Sequence, residues 1–294
     1  MIDIRTVLCP VDFTPLSERA LELAVEVSKK VGARLVLEHN LESRPPSYLG
    51  VSWMWSEDHE GDQEKKAAAA TGKIQELLGS VPKSIEREAR LTRGPVDGTL
   101  LHLAAQLPAG LMVMGTHGAS SPEHRSLTER IIIQAPCPVL TLGEGYEPGA
   151  AMAALAGTRP EAMDVVIPMD FTPRSDAALA FGLALAERMP HHMTLVHVVA
   201  AGRHAAGEAD ACRERLAARI PDAMSDRMTA EVRVGEPVAE ILATARERGA
   251  IFMLMAARGR SAFRRFLFGT TTLGILHGSD CPVLFVPPSF EMEG

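Results

Sequence analysis

The stretch VLCPVDFTP at residues 7–15 returns as VVIPMDFTP at residues 165–173. The similarity then continues without a gap from Ser17 to His39 and from Ser175 to His197. A repeat of this length in one register indicates that the chain contains two copies of one structural unit. A chain of 294 residues is also long enough for two domains of ordinary size.

Both copies show the same alternation of strand and helix patterns. Each opens with a near-continuous apolar run, which is typical of a strand buried on both faces of a parallel sheet. A Thr-Pro pair follows and predicts a helix start, because threonine caps a helix and proline suits its first position. Helices are predicted over 62–78, 96–106, 205–220 and 238–248, and later strands over 34–39, 85–91, 111–114, 194–199, 229–234 and 251–255.

This alternation predicts an α/β fold with two doubly wound, Rossmann-like parallel-sheet domains. The first domain is expected over 1–143, a linker rich in Gly, Ala and Pro over 144–162, and the second domain over 163–289. The first copy also carries an insertion at 44–61 that holds both tryptophans, Trp53 and Trp55. Two interpretations stay open for this insertion: a lid or partner surface, or a loop packed on its own domain.

The composition describes a globular protein, with 46% hydrophobic and 23% charged residues. A net charge of −7 argues against a nucleic-acid-binding or membrane-surface protein, since either would need a basic face. No apolar run approaches the length of a membrane span. The four cysteines lack metal-site or CxxC spacing, so we expect reduced thiols and a cytoplasmic protein.

The stretch FMLMAARGRSAFRRFLFGTTT at residues 252–272 reads as a strand, a loop and a helix entrance. Such a junction collects unpaired N–H groups at the positive end of a helix dipole, where a phosphate binds well. Gly259 and Gly269 allow the backbone to approach a ligand, and Arg258 and Arg260 would offset its negative charge. The alternative is a turn with an exposed basic rim.

A family resemblance rests on this loop. The pattern Ala256-x2-Gly259-x9-Gly269-Thr270 resembles the G-x2-G-x9-G-[S/T] nucleotide loop of the universal stress protein family, with Ala256 in place of the first glycine. The phrase that begins at Cys281 is similar to the closing strand of that family. The resemblance implies five strands per domain in the order 3-2-1-4-5 and a nucleotide site beyond strands 1 and 4.

By this resemblance, Asp170 and Val198 would contact the adenosine of ATP, while Gly259, Gly269 and Thr270 would hold the phosphates. The ligand is expected to be ATP, ADP or AMP, with Mg²⁺ held through the phosphates and without metal ligands from the protein. For Asp170 the alternative is a strand-end carboxylate that caps local N–H groups. The predicted nucleotide site comprises Asp170, Phe171, Val198, Ala256, Arg258, Gly259, Arg260, Gly269, Thr270 and Thr271.

The first copy departs from the nucleotide-loop pattern. Its loop is three residues shorter, and no Gly-Ser or Gly-Thr pair stands at the expected place. A shorter loop that carries a glutamate should fit a triphosphate poorly, so we expect weak or no nucleotide binding in the first domain. The degenerate first-domain site comprises Asp12, Gly115, Gly118, Arg125 and Ser126.

The sequence contains no recognisable nucleophile motif and no general base near the loop. The leading hypothesis is a non-catalytic, ATP-binding stress-response protein that reports its nucleotide state to a protein partner. The alternatives are an adenylating or slowly ATP-hydrolysing enzyme of the same superfamily, and a nucleotide-free interaction module. The last strands, 139–142 and 283–286, are the expected seam of an intrachain pseudo-dimer, and pairing of chains into a homodimer stays open.

Overall fold

The computed structural model describes residues 4–41, 58–116, 122–146, 164–187, 191–202, 205–257 and 269–287. The strands of the first half, β1 to β5, span Thr6–Pro10, Arg34–Asn40, Arg87–Thr92, Leu111–Gly115 and Val139–Leu142. Those of the second half, β6 to β10, span Asp164–Pro168, His192–Val199, Met228–Val234, Ala250–Ala256 and Val283–Val286.

Eight helices flank these strands in the described ranges. Helices α1 to α4 of the first half span Pro15–Val31, Asp58–Ser80, Val96–Gln106 and Pro122–Gln134. Helices α5 to α8 of the second half span Pro173–Ala186, Ala205–Ala217, Pro237–Glu247 and Thr270–Gly278. None of these helices combines the length and the apolar composition that crossing a bilayer requires.

All ten strands belong to one sheet, in the order β3-β2-β1-β4-β5-β10-β9-β6-β7-β8. Within each half the neighbouring strands are parallel, and the order 3-2-1-4-5 is confirmed. The halves meet where β5 and β10 pair antiparallel, with Leu140 opposite Leu284. The predicted seam is therefore confirmed, and the intrachain pseudo-dimer is a continuous sheet.

The helices cover both faces of this sheet and bury one apolar layer on each. On one face, α1, α2, α5 and α6 contribute Leu21, Ile74, Phe181 and Leu216 to the core. On the other face, the core residues come from α3, α4, α7 and α8 and include Leu100, Ile131, Ile241 and Ile275. This arrangement explains the near-continuous apolar runs of the inner strands, because both faces of those strands lie under helices.

The expected helix starts after β1 and β6 form as the Thr-Pro pairs predict. Thr14 caps α1 by accepting a hydrogen bond from the Ser17 amide, and Thr172 caps α5 in the same way through Ser175. Proline occupies the first turn of both helices. This shared turn fixes the direction of the chain as it leaves the carboxyl ends of β1 and β6.

Several element boundaries differ from the sequence-based expectation. The helix expected over 62–78 spans Asp58–Ser80, and the one expected over 205–220 ends at Ala217. Strand β7 begins at His192 rather than at residue 194, because His192 pairs with Asp164 of β6. The first residues assigned to the linker pack on the first domain, where the Arg19 guanidinium donates a 2.8 Å hydrogen bond to the carbonyl of the buried Tyr146. Trp53 and Trp55 lie outside the described residues.

Candidate functional site

A cavity of about 460 Å³ opens in the first half, beyond the carboxyl ends of β1, β2 and β4. Helices α3 and α4 form its opposite wall. Its apolar lining comes from Val96, Leu100, Met114 and Leu127. Its position is the one where open parallel sheets bind ligands, and its volume falls in the range of small-molecule sites.

A buried carboxylate forms part of the cavity wall. Glu38 lies near the end of β2 and is only 1% exposed. The Thr92 hydroxyl donates a short hydrogen bond to Glu38 Oε1. Arg90 stands opposite Glu38 on β3 but pairs with Glu88 instead, at 2.6 Å. Burial raises the pKa of Glu38 to about 7, and the Thr92 hydrogen bond offsets only part of that effect.

Asn40 lies two residues beyond Glu38 on β2 and extends this polar wall. Its Nδ2 donates to Thr92 Oγ1 at 2.9 Å and to Thr99 Oγ1 at 2.7 Å. Its Oδ1 is buried and accepts no hydrogen bond from the described residues. The chain of bonds from Asn40 through Thr92 to Glu38 has a fixed direction, which makes Glu38 Oε1 an acceptor.

An ion pair closes the helical side of the cavity. Arg130 Nε of α4 donates to Asp97 Oδ2 of α3 over 2.7 Å, and both side chains are partly exposed. Burial alone would raise the pKa of Asp97, but the Arg130 hydrogen bond and charge outweigh it and lower the pKa below its usual value. Asp97 therefore stays ionised at neutral pH.

Asp12 and Asp170 occupy matching places just after β1 and β6. Asp12 Oδ1 accepts hydrogen bonds from the amide and hydroxyl of Thr14, and Asp170 Oδ1 accepts the same pair from Thr172. Burial alone would raise the pKa of Asp170, but its hydrogen bonds from Thr172 and Ser175 and the charge of Arg174 lower it. One oxygen of each carboxylate thus caps the local turn, and the expected contact of Asp170 with a nucleotide stays a prediction.

The residue after each aspartate is held in a rare backbone conformation. Phe13 has φ of 62° and Phe171 has φ of 58°, in the left-handed region that disfavours bulky side chains. The centroid of the Phe13 ring lies 4.2 Å from that of His39, and the centroid of Phe171 lies 4.5 Å from that of His197. Each histidine forms a hydrogen bond through Nδ1 with the backbone carbonyl two residues before the phenylalanine, Val11 for His39 and Met169 for His197. Both histidines therefore hold this turn, and His39 also lines the cavity.

The predicted nucleotide site of the second half is only partly described. Asp170 and Phe171 follow β6, Val198 lies near the end of β7, and Ala256 ends β9. Strands β6 and β9 are adjacent and parallel, so these ends share one edge of the sheet. Gly269 precedes α8, and Thr270 and Thr271 form its first turn. Arg258, Gly259 and Arg260 lie outside the described residues.

The start of α8 differs from the other described starts in the second half. Thr172 caps α5 and Glu236 caps α7 through their side chains, whereas Gly269 offers α8 no side-chain cap. The first-turn amides of α8 therefore lack a side-chain acceptor at the cap. This is the geometry in which a helix start receives an anion.

The degenerate first-domain residues divide into two groups. Asp12 and Gly115 line the cavity. Arg125 and Ser126 fall within α4, where their side chains are not described, and Gly118 lies outside the described residues. The sequence analysis did not identify Glu38, Asn40, Asp97 or Arg130. The position of Glu38 within the apolar run of β2 could have indicated a buried carboxylate.

The second half carries apolar residues where the first half has these four polar ones. Strand register matches Glu38 with Val196 and Asn40 with Val198, because Pro10 and Pro168 stand opposite Glu38 and Val196. Asp97 in the first turn of α3 corresponds to Val238 in the first turn of α7. Arg130 of α4 corresponds to Gly274 of α8, because each directly precedes a buried isoleucine, Ile131 or Ile275. A Cβ on Gly274 would lie 2.6 Å from Val238 Cγ2, so the helices touch where the first half has its ion pair.

Comparison with known proteins identifies a family for both halves. The model of the universal stress protein family matches residues 3–142 and 162–287. A universal stress protein of Synechocystis is 28% identical over 151 residues, which are 48% of this chain and 87% of that protein. One from Thermus aquaticus is 30% identical over 139 residues, covering 46% of this chain and 96% of the relative.

Two solved structures resemble this chain over nearly its whole length. A universal stress protein from Archaeoglobus fulgidus superposes with a TM-score of 0.68 at 18% identity, covering 96% of this chain and 98% of its own. A putative universal stress protein from Pseudomonas aeruginosa gives 0.61 at 15% identity, covering 97% and 94%. At this identity the likeness shows a shared fold, and that fold includes both halves.

Proposed function

The chain belongs to the universal stress protein family, and we propose on this premise that its second half binds one adenine nucleotide, ATP or its products. The observation that carries the proposal is the start of α8. Gly269 gives that helix no side-chain cap, and its first turn is Thr270, Thr271 and Thr272. Open amides and hydroxyls at one helix start are suited to a phosphate chain.

The strand ends support the same position. Asp170 follows β6, and Ala256 ends the adjacent strand β9. One oxygen of Asp170 holds the local turn, and the pKa of Asp170 is lowered, so the group is ionised at neutral pH. An ionised carboxylate beside the strand ends is suited to accept hydrogen bonds from ribose hydroxyls. Arg258 and Arg260 remain proposed phosphate contacts.

The proposed role is binding and not turnover. Nucleotide occupancy would change the surface that the residues between β9 and α8 offer to a protein partner, with Mg²⁺ bound through the phosphates. Ala256, which replaces the first glycine of the family loop, adds one methyl group close to the ligand. A site that this methyl blocks would leave the chain a nucleotide-free interaction module.

Calorimetric titration of ATP and Mg²⁺ tests this function. We expect one ATP per chain, and Gly269→Glu should weaken binding by at least about 100-fold, because a carboxylate would face the phosphates. Gly79→Glu is the matched control: it makes the same charge change on α2, where a Cβ meets nothing within 4 Å. Its ATP affinity should equal that of the wild type.

Three results would lead elsewhere. Two equivalent ATP sites per chain would refute the proposed difference between the halves. Absence of ATP binding in the wild type would favour the interaction module. Steady ATP consumption that depends on a second substrate would favour the adenylating enzyme.

A further inference from the structure

Glu38 is buried in a way that the fold does not require. A buried carboxylate is costly unless a cation pairs with it or it takes up a proton. Among the described residues no side chain forms a salt bridge with Glu38, because Arg90 pairs with Glu88 and Arg130 pairs with Asp97. Thr92 donates only to Oε1, so Oε2 of this cavity-lining residue has no hydrogen-bond partner among the described residues.

The second half shows that the same strand position accepts a hydrocarbon. Val196 of β7 corresponds to Glu38 and is fully buried. A valine at this place leaves the sheet order and register of the half unchanged. The carboxylate of the first half is therefore explained better by a ligand than by packing.

The remaining wall of the cavity favours a ligand that donates hydrogen bonds. Asn40 Oδ1 is a buried acceptor without a described partner. Asp12 adds a second carboxylate to the lining, and the Asp97 carboxylate and Arg130 offset one another. Among the lining residues that the structure describes, the carboxylates of Glu38, Asp12 and Asp97 outnumber the Arg130 guanidinium, and this favours a positive group over a phosphate.

A metal ion fits this wall less well than an organic cation. In the described ranges, no three His, Cys, Asp or Glu side chains are grouped closely enough to hold one. The volume of about 460 Å³ and the apolar side chains of Leu100 and Met114 suit a molecule with a carbon frame.

We propose that the first-half cavity binds a small organic cation, an amine or a guanidine, whose charged group lies against Glu38. The apolar wall from α3 and α4 packs on its hydrocarbon part, and Asn40 Oδ1 accepts one of its N–H groups. This site takes a charge opposite to that of a nucleotide, and it does not depend on nucleotide binding by the second half.

Three molecules of one length and different charge test the proposal: 1,4-diaminobutane, butane-1,4-diol and succinate. Each is titrated into the full chain by calorimetry and by NMR, with and without saturating ATP. We expect one diamine per chain, at least about tenfold tighter than the diol, and no binding of succinate. ATP should leave the diamine affinity unchanged, whether or not ATP itself binds.

The variant Glu38→Gln keeps the shape of the side chain and removes its charge. It should weaken diamine binding at least about tenfold. Glu231→Gln, the same change on β8 of the second half, should bind as the wild type does. At pH 6.5, diamine binding to the wild type should release protons, since it favours ionised Glu38, and calorimetry in two buffers of different ionisation enthalpy measures that release. Glu38→Gln should show none of it.

Four outcomes would overturn the proposal. Equal affinity for the diamine and the diol would show that charge does not matter. Undiminished diamine binding by Glu38→Gln would place the ligand elsewhere. Displacement of the diamine by ATP would make the cavity a nucleotide site. Absence of diamine binding to the wild type would leave Glu38 a neutral structural acid.

Discussion

The two halves share one fold but differ in the residues at the matched edge of the sheet. Four matched positions carry Glu38, Asn40, Asp97 and Arg130 in the first half. The second half has Val196, Val198, Val238 and Gly274 there. Around these positions the strand order, the capped turn and the left-handed phenylalanine are the same. The shared features build the domain, and the four differences decide what each edge can hold.

The two halves also differ in the charge and hydrogen-bonding groups that they place at this edge of the sheet. The first half places carboxylates beside an open cavity. The second half fills the matched helix contact with Val238 and Gly274 and leaves the start of α8 uncapped. These differences are the basis for proposing a cation at the first edge and an anion at the second. Exchanging residues between the halves tests this difference directly.

The largest effect is expected from moving the carboxylate into the second half. Val196→Glu would bury a charge at a fully enclosed position, directly opposite Glu231 on β8. The desolvation of the new carboxylate and its repulsion by Glu231 should together lower the free energy of unfolding by about 3–5 kcal/mol. Urea denaturation measures the loss. The reverse change, Glu38→Val, should cause no such loss at pH 8. Tolerance of Val196→Glu within about 1 kcal/mol would mean that the two edges are alike.

A second effect is expected in the pH dependence of stability. Glu38 has a pKa of about 7 in the folded protein, against an ordinary value of 4.5. Between these two pH values the carboxyl group is protonated in the folded state and ionised in the unfolded chain. The contribution of Glu38 to stability is thus full below pH 4.5 and falls as the pH rises to about 7. Glu38→Gln does not titrate there, so its stability relative to the wild type should rise by about 3 kcal/mol across that window.

The control for this pH experiment lies in the groups around Glu38. The surrounding groups are the same in both proteins, so the difference between the two stability curves isolates Glu38; these groups are Cys9, Asp12, His39, Arg90, Asp97 and Arg130. Urea midpoints at pH 4.5, 6 and 8 give the curve. A difference that stays flat with pH would show that Glu38 has an ordinary pKa and is exposed to water.

The smallest effect is expected at the helix contact. Gly274→Ala places a methyl group 2.6 Å from Val238 Cγ2, and valine has no flexible end to move away. Overpacking should cost about 1–2 kcal/mol after the gain in helix propensity. Adding Val238→Ala should recover part of this loss, which a double-mutant cycle measures.

The matched change in the first half sets the scale for that result. Arg130→Ala removes a partly exposed ion pair with Asp97 and should cost no more than about 1 kcal/mol. If Gly274→Ala is neutral while Arg130→Ala is costly, then the ion pair and not the close contact is the tighter of the two helix junctions.

Local pattern was enough to predict most of the fold. Apolar runs predicted the strands, and the Thr-Pro pairs predicted the starts of α1 and α5, because capping depends on neighbours in the sequence. The repeat and the family resemblance gave the strand order and the seam. Some boundaries were wrong: β7 was predicted to start at residue 194 but starts at His192, because His192 pairs with Asp164, which is distant in sequence.

The candidate sites divide along the same line. The sequence by itself determined the two α/β halves, the stretch rich in glycine and arginine that precedes α8, and the place of Asp12 and Asp170 after their strands. Only the tertiary structure decided that Glu38, Asp97 and Arg130 line one cavity, because they come from β2, α3 and α4. Their burial and pairing depend on contacts between elements far apart in the chain, and no local pattern encodes such contacts.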